Sequence, residues 1–320
     1  MAVSTVPRGL IVDLITPLES NGAINRRGVQ QLVDRVAPHV QAILLCGPGA
    51  GDGMSLGQTQ RTEMLEAVLD SGNDHLPLMV WITGKSTEET HVLVKELEDL
   101  LQAKRHDGPV SWVDMPLLYH SNRGLPQHYR DLAESVQRPI LLVNDPERVK
   151  QGGRPLKRAN IRTGILKEIA HVQEVQGVFF LGPMERARNY RKATRFRNDF
   201  RLYDGDEASF LAHPSRHGVL SAGANLAPAA WKKVTAASLE PAGDEAGYPD
   251  RLRQIWEQGR YLEALRQAYA DHPSDRIRAA LSRAGVLEAS NAEPSDPSSH
   301  QAIAHLYELM KAHGDAQENA

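Results

Sequence analysis

The sequence has almost nothing with which to cross-link itself. Its 320 residues hold one cysteine, Cys46, which excludes an internal disulfide and any cysteine-based zinc site. A lone thiol suits a reducing compartment. No run approaches the ~18 consecutive apolar residues that a membrane-spanning helix needs. Charge of one sign is also missing: 37 Lys and Arg face 40 Asp and Glu, a formal net charge of −3. That balance gives no global attraction to nucleic acid or to an anionic membrane. The start of the chain, MAVSTVPRGLIVDLITPL, lacks a basic segment followed by a long apolar stretch, so no secretory signal is expected. These absences leave a soluble, cytoplasmic, globular protein as the expectation.

What is present is a succession of short apolar runs. Strands are predicted at 9–16, 42–47, 77–83, 110–117, 139–144, 175–181, 200–204 and 217–222. The runs are continuously apolar instead of alternating, as in parallel strands covered on both faces. Helical spacing fills the gaps, as in 28–37, 56–69 and 88–101. Eight strands alternating with helices predict a (β/α)8 TIM barrel over 1–228. A doubly wound open sheet usually carries a Gly-rich fingerprint after its first strand, and none is present. Beyond residue 228 only helical patterns remain, near 229–239, 249–270, 274–285 and 299–313, so 229–320 reads as a C-terminal helical domain. Pro241, Gly243 and Gly247 separate the first two of these helices, Ser290–Ser299 reads as a polar loop, and the final GDAQENA is expected to fray.

In such barrels the site lies at the C-terminal ends of the strands. The most distinctive element there is Gly47-Pro48-Gly49-Ala50-Gly51-Asp52-Gly53. Its glycines are expected to supply positive φ and close backbone approach, and its N–H groups a nest for a ligand anion. It lacks the Gly-Lys-Ser/Thr ending of a phosphate loop. Thr16, Asp206 and Ser221 are further ligand-facing candidates at strand ends. Lys85 is the one lysine at a strand end and therefore the candidate amine nucleophile; Ser86-Thr87-Glu88-Glu89 beside it also reads as a helix N-cap, which would leave it solvated. Asp52, Asp114, Asp145, Asp204 and Asp206 fit either cation or general-base roles, or capping. No closely spaced histidine pair sits at a strand end, and no metal or cofactor is expected. The basic run 186–197 falls on the helix after strand 6, where a solvated outer face explains it better than nucleic-acid binding.

The order of motifs resembles the dihydrodipicolinate synthase/N-acetylneuraminate lyase family. The landmarks are Thr16-Pro17, the Gly-rich loop with Ser55-Leu56 and Arg61, Pro116 with Gly124-Leu125 and His128-Tyr129, Asn144-Asp145-Pro146-Glu147-Arg148, Gly177-Val178, Gly205-Asp206, and Gly218-Val219-Leu220-Ser221 with Asn225 and Pro228. The resemblance implies a barrel with a helical C-terminal domain, assembled as a homodimer or homotetramer. It also implies class I aldolase or lyase chemistry, in which a strand 6 lysine forms a Schiff base with a 2-oxo acid. A strand 5 tyrosine then shuttles protons, and two hydroxyl residues after strand 2 hold the carboxylate. Carried over by position, the lysine falls on Phe179, the tyrosine on Val143, and the hydroxyl pair on Gly49 and Ala50. The paired tyrosines after Pro116 fall on Leu117 and Leu118. Arg148 keeps the place of an arginine that binds a substrate carboxylate. Phenylalanine cannot form a Schiff base and valine cannot move a proton. The sequence therefore leads to a family barrel without Schiff-base catalysis that keeps a pocket for a small carboxylate-bearing molecule. The alternatives are an active lyase using Lys85, or a non-catalytic partner subunit.

Overall fold

A computed structural model describes residues 6–152, 158–215, 217–239, 248–288 and 297–316. Eight strands form a closed parallel barrel in chain order: β1 (Gly9–Asp13), β2 (Ala42–Leu45), β3 (Leu78–Trp81), β4 (Val110–Asp114), β5 (Ile140–Asn144), β6 (Val175–Phe180), β7 (Arg201–Asp204) and β8 (Gly218–Ser221). The helices are α1 (Arg26–Val36), α2 (Gln58–Leu69), α3 (Thr87–Ala103), α4 (Leu125–Ser135), α5 (Pro146–Gln151), α6 (Thr163–Ile169), α7 (Met184–Thr194), α8 (Glu207–Ala212), α9 (Pro228–Leu239), α10 (Tyr248–Tyr269), α11 (Pro273–Arg283) and α12 (Pro297–Ala312). The architecture is a (β/α)8 TIM barrel with a C-terminal helical part. All eight expected strands are present, but each is shorter than its apolar run. Leu14 still donates to the Leu44 carbonyl, after which the chain leaves the sheet toward Pro17, which has no N–H to give a ladder.

The helices begin where short polar side chains meet free N–H groups. Asn25 caps α1 by accepting from the Gly28 N–H, and Ser86 caps α3 by accepting from Glu89. Asp145 and Asp206 cap α5 and α8. The basic run lies on α7, with Tyr190 and Thr194 buried and Arg188, Arg191 and Lys192 exposed. Past β8, α9 packs on β1 and β8, and α10 to α12 pack on one another and against α8 and α9. The tail expected to fray is partly docked: Asp315 accepts from the Tyr261 hydroxyl at 2.7 Å, and its carbonyl accepts from Arg35. The expected break at Pro241–Gly247, most of the loop at Ser290–Ser299 and the last four residues lie outside the described residues.

Strand parity decides which side chains reach the barrel interior, because successive residues point to opposite faces. Trp112 of β4 donates to Glu98 of α3, so residues 112 and 114 face the helices. Phe180 of β6 packs edge-on against Tyr190 of α7, so Phe179 faces inward. Asn144 of β5 accepts from the Tyr190 hydroxyl, so Val143 faces inward. Cross-strand pairing carries the same parity from Val143 to Phe179 to Tyr203, and from Asp13 to Leu44 to Met79. The side chains of Val143, Phe179, Tyr203 and Asp13 thus point into the barrel.

Candidate functional site at the barrel mouth

Asp13 ends β1, and its carboxylate lies against the Gly-rich loop that follows β2. Its Oδ2 accepts the Ala50 N–H at 2.7 Å. A Cβ on Gly47 would stand 2.0 Å from Oδ1, and one on Gly49 would stand 2.6 Å from Oδ2. Those two glycines are required by the closeness of the carboxylate. The expectation that the glycines supply positive φ is not met: positive φ falls on Cys46 (53°), just before the loop, and on Asp52 (57°) within it. The anion nest expected for a ligand at Gly49 and Ala50 therefore already holds an anion of the chain itself. Asp13 is 3 % exposed. Burial pushes its carboxyl up to about 7; the Ala50 N–H and the Arg148 charge oppose that rise, and Asp52 adds to it. Oδ1 is buried and has no hydrogen-bond partner among the described residues.

Thr16 supports the loop from below, donating its hydroxyl to the Gly51 carbonyl at 2.7 Å. Asp52 closes it through an ion pair with Arg278 of α11, whose Nε also donates to the Thr16 carbonyl. Asn225 fixes the end of β1, accepting from the Ile15 N–H and donating to the Asp13 carbonyl. The two anchors come from the C-terminal helices and from the turn after β8, so distant segments set the position of Asp13.

Across the mouth, Phe179 is fully buried and stacks on Tyr203, with centroids 4.9 Å apart and planes at 28°. Arg148 lies in the first turn of α5. Its Nε donates to Asp145 Oδ2 at 3.3 Å, while its terminal nitrogens make no hydrogen bond among the described residues. A cavity of about 480 Å³ brings Arg148 together with Asp145, Leu181, Gly182, Asp206 and Ser209. Asp206 is engaged there as a helix cap, accepting from the Ser209 N–H and hydroxyl.

The remaining sequence candidates lie elsewhere. Lys85 is exposed, and its N–H donates to the Glu89 carboxylate at the start of α3, so the apolar mouth that would activate its amine does not surround it. Leu118 lines a separate cavity of about 470 Å³ with Lys85, Arg61 and Thr83. Ser221 faces the helices and donates to Glu207, which also accepts from the Gly223 N–H and the Tyr269 hydroxyl. Among the acids, Asp114 accepts from Thr83, Tyr119 and Tyr129, and Asp204 accepts the Ser215 N–H. Among the described residues, no three His, Cys, Asp or Glu side chains converge as a metal site. No described helix is long and apolar enough to cross a membrane.

The residue that sequence reading missed is Asp13. The available signal was an acid inside the otherwise apolar run GLIVDLIT, where a buried strand side chain must find a partner.

A sequence model of the dihydrodipicolinate synthetase family matches residues 6–312. Two similar curated proteins are 4-hydroxy-tetrahydrodipicolinate synthases. The one from Alcanivorax borkumensis is 28% identical over 314 residues, covering 96% of this chain and 98% of its own. The one from Aromatoleum aromaticum is 25% identical over 312 residues, with the same coverage. Among solved structures, dihydrodipicolinate synthase from Aquifex aeolicus superposes with a TM-score of 0.76 at 21% identity, covering 98% of this chain and 100% of that one. A monomeric dihydrodipicolinate synthase variant also gives 0.76, at 24% identity and 97% and 98% coverage. With the barrel, its helical C-terminal part and a match that spans nearly the whole sequence, this chain belongs to the dihydrodipicolinate synthetase family.

Proposed function

We propose that this protein is a family barrel that does not form a Schiff base and instead binds a small carboxylate-bearing ligand at its mouth. The observation that carries the first half is the absence of a usable amine among the described residues. None of the eight strands contains a lysine, and all nine described lysines are exposed. Burial is what frees a lysine amine near neutral pH, and none of them has it. The inward position of β6 at the level of the mouth is Phe179, packed on Tyr203.

The second half rests on Arg148. Its planar fork suits bidentate pairing with a carboxylate, and beside the cavity its terminal nitrogens make no hydrogen bond among the described residues. Leu181 and the two prolines that line the same cavity, Pro146 and Pro183, favour a ligand with a short carbon body over a bare anion. The buried free thiol of Cys46 fits a cytoplasmic setting, and a homodimer or homotetramer is part of the same reading.

Reduction with borohydride in the presence of pyruvate tests the first half: the protein mass should not change. An adduct mapped to Lys85 would establish the lyase alternative, and one on any other lysine would refute both. Calorimetry with simple monocarboxylates such as propionate tests the second half. Binding should be present in the wild type and weakened about tenfold or more in Arg148→Ala.

A further inference from the structure

The outer ring of helices does not close evenly. α7 packs on α6 and α8 packs on α10, while α7 and α8 face one another across a cavity of about 720 Å³. A volume of this order is usual for a small-molecule site. Met184, Ala187, Arg188 and Arg191 fall at helical spacings of three and four and form the α7 wall. Ala208, Ser209 and Ala212 form the α8 wall. Packed helices interlock their side chains at about 8–10 Å between axes. The alanines and serine that face one another here are too short to fill the gap, so the space stays open. Its floor is made by Phe180 of β6 and Leu202 of β7, on the outward face of the barrel.

The charged groups around this cavity are unequally engaged. Both acids have partners: Asp206 accepts from the Ser209 N–H and hydroxyl, and Asp204 accepts the Ser215 N–H at 2.6 Å. Arg188 and Arg191 are exposed and make no hydrogen bond or ion pair among the described residues. Three positions apart on one helix face, their like charges repel. An anion held between them relieves that repulsion, and each guanidinium presents a fork of donors suited to carboxylate or phosphate oxygens. Beside them the floor offers a ring and an aliphatic chain with no polar atom, so the rest of the ligand gains by being hydrocarbon.

We propose that the cavity between α7 and α8 is a second ligand site, for an organic anion with an apolar body: a carboxylate or phosphate on Arg188 and Arg191, and the body over Phe180 and Leu202. The cavity adjoins that of Arg148, sharing Gly182, Pro183, Asp206 and Ser209 with it, but its anion-binding groups are its own. The inference does not depend on the reading of Arg148.

Calorimetry with matched probes tests it. Phenylacetate and phenyl phosphate carry both the anion and the body, benzyl alcohol keeps only the body, and acetate keeps only the anion. All four are measured on Arg148→Ala, so that the neighbouring cavity does not contribute. Phenylacetate or phenyl phosphate should bind about tenfold or more tightly than benzyl alcohol and than acetate. The tighter of the two identifies the head group. Adding Arg188→Ser and Arg191→Ser should weaken that binding about tenfold or more. Adding Ala208→Phe instead, which fills the cavity from the α8 wall without altering charge, should abolish it. On an otherwise wild-type chain, the two arginine changes should leave propionate binding unchanged.

If neither aromatic anion binds Arg148→Ala more tightly than benzyl alcohol, the inference is overturned. Binding to wild type that disappears in Arg148→Ala overturns it too, because the ligands then sit in the neighbouring cavity. So does binding that survives loss of both arginines. A change in subunit number on removing the arginines, seen by light scattering, would make this face an interface between copies and overturn the ligand site. Because both arginines are exposed, their variant should fold even where Ala208→Phe does not, and it decides the question alone.

Discussion

Two regions of this barrel treat a buried carboxylate in opposite ways. In the layer between strands and helices, Glu207 has both oxygens satisfied: Oε1 accepts from Ser221 at 2.5 Å and from the Gly223 N–H at 2.8 Å, and Oε2 accepts from Tyr269 at 2.5 Å. Asp114, in the same layer, accepts three hydroxyls. Asp13, inside the barrel, has one oxygen held and the other without a hydrogen-bond partner among the described residues. The satisfied acids join elements: Glu207 ties β8 and α8 to Tyr269 of α10, and Asp114 ties β4 to Tyr129 of α4. An unsatisfied acid joins nothing further, so its cost is not offset by such a tie. Burial of a charge therefore does not by itself mark a site.

The most damaging change should be Phe179→Lys, which tests how closely the interior is fitted around the mouth. It removes the ring stacked on Tyr203 and inserts a charge into an apolar interior. It should cost about 5 kcal/mol or prevent folding, measured by denaturant melts. It should not restore turnover with pyruvate, because Val143, Gly49 and Ala50 supply no proton relay. Robust activity would show that the interior tolerates a charge.

Next in size is Glu207→Ala, which leaves three donors of the strand–helix layer unpaired. A loss of about 4 kcal/mol is expected, with ligand binding by the folded fraction unchanged. A loss under about 1 kcal/mol would show that the satisfied acids are not structural ties, and the contrast with Asp13 would fail.

The Asp13 prediction depends on pH and has the opposite sign. Its carboxyl is raised from 3.8 to about 7 by burial, so the native state binds more protons than the unfolded chain between those values. Wild-type stability should therefore fall as pH rises through that window, by up to about 4 kcal/mol from this group. Asp13→Asn removes the titration. The variant should match wild type near the bottom of the window and exceed it above neutral pH. The difference between the two pH–stability curves isolates Asp13 from other raised acids such as Asp204. Parallel curves would show that Asp13 does not titrate in this window.

Lys85 should matter least. Its side chain is exposed, so Lys85→Ala should change stability by less than about 0.5 kcal/mol and leave carboxylate binding intact. A marked loss of binding would move the functional site to the cavity that Lys85 lines.

The apolar runs located every strand, because a parallel strand buried on both faces must be apolar throughout and the chain prints that directly. They overran the strand ends, since residues such as Leu14 and Ile15 stay buried after leaving the sheet. The motif order singled out Arg148, which lines a cavity with Asp145 and Asp206. It did not reveal that Gly49 and Ala50 already hold a carboxylate, that Ser221 faces a helix, or that Leu118 lines another cavity. Each of those is a matter of which face a side chain takes, and a one-residue change of parity reverses it.

The barrel, the family and the lack of a lysine on any strand could all be read from the chain, because they depend on residue type and local pattern. What fills the site could not. Asp13 meets Ala50 37 positions away, Tyr269 reaches Glu207 across 62, and Asn225 fixes the Ile15 N–H across 210. Whether a buried polar atom finds a partner depends on such long-range closures, and no local pattern encodes the direction in which a strand-end side chain will point once the barrel has closed.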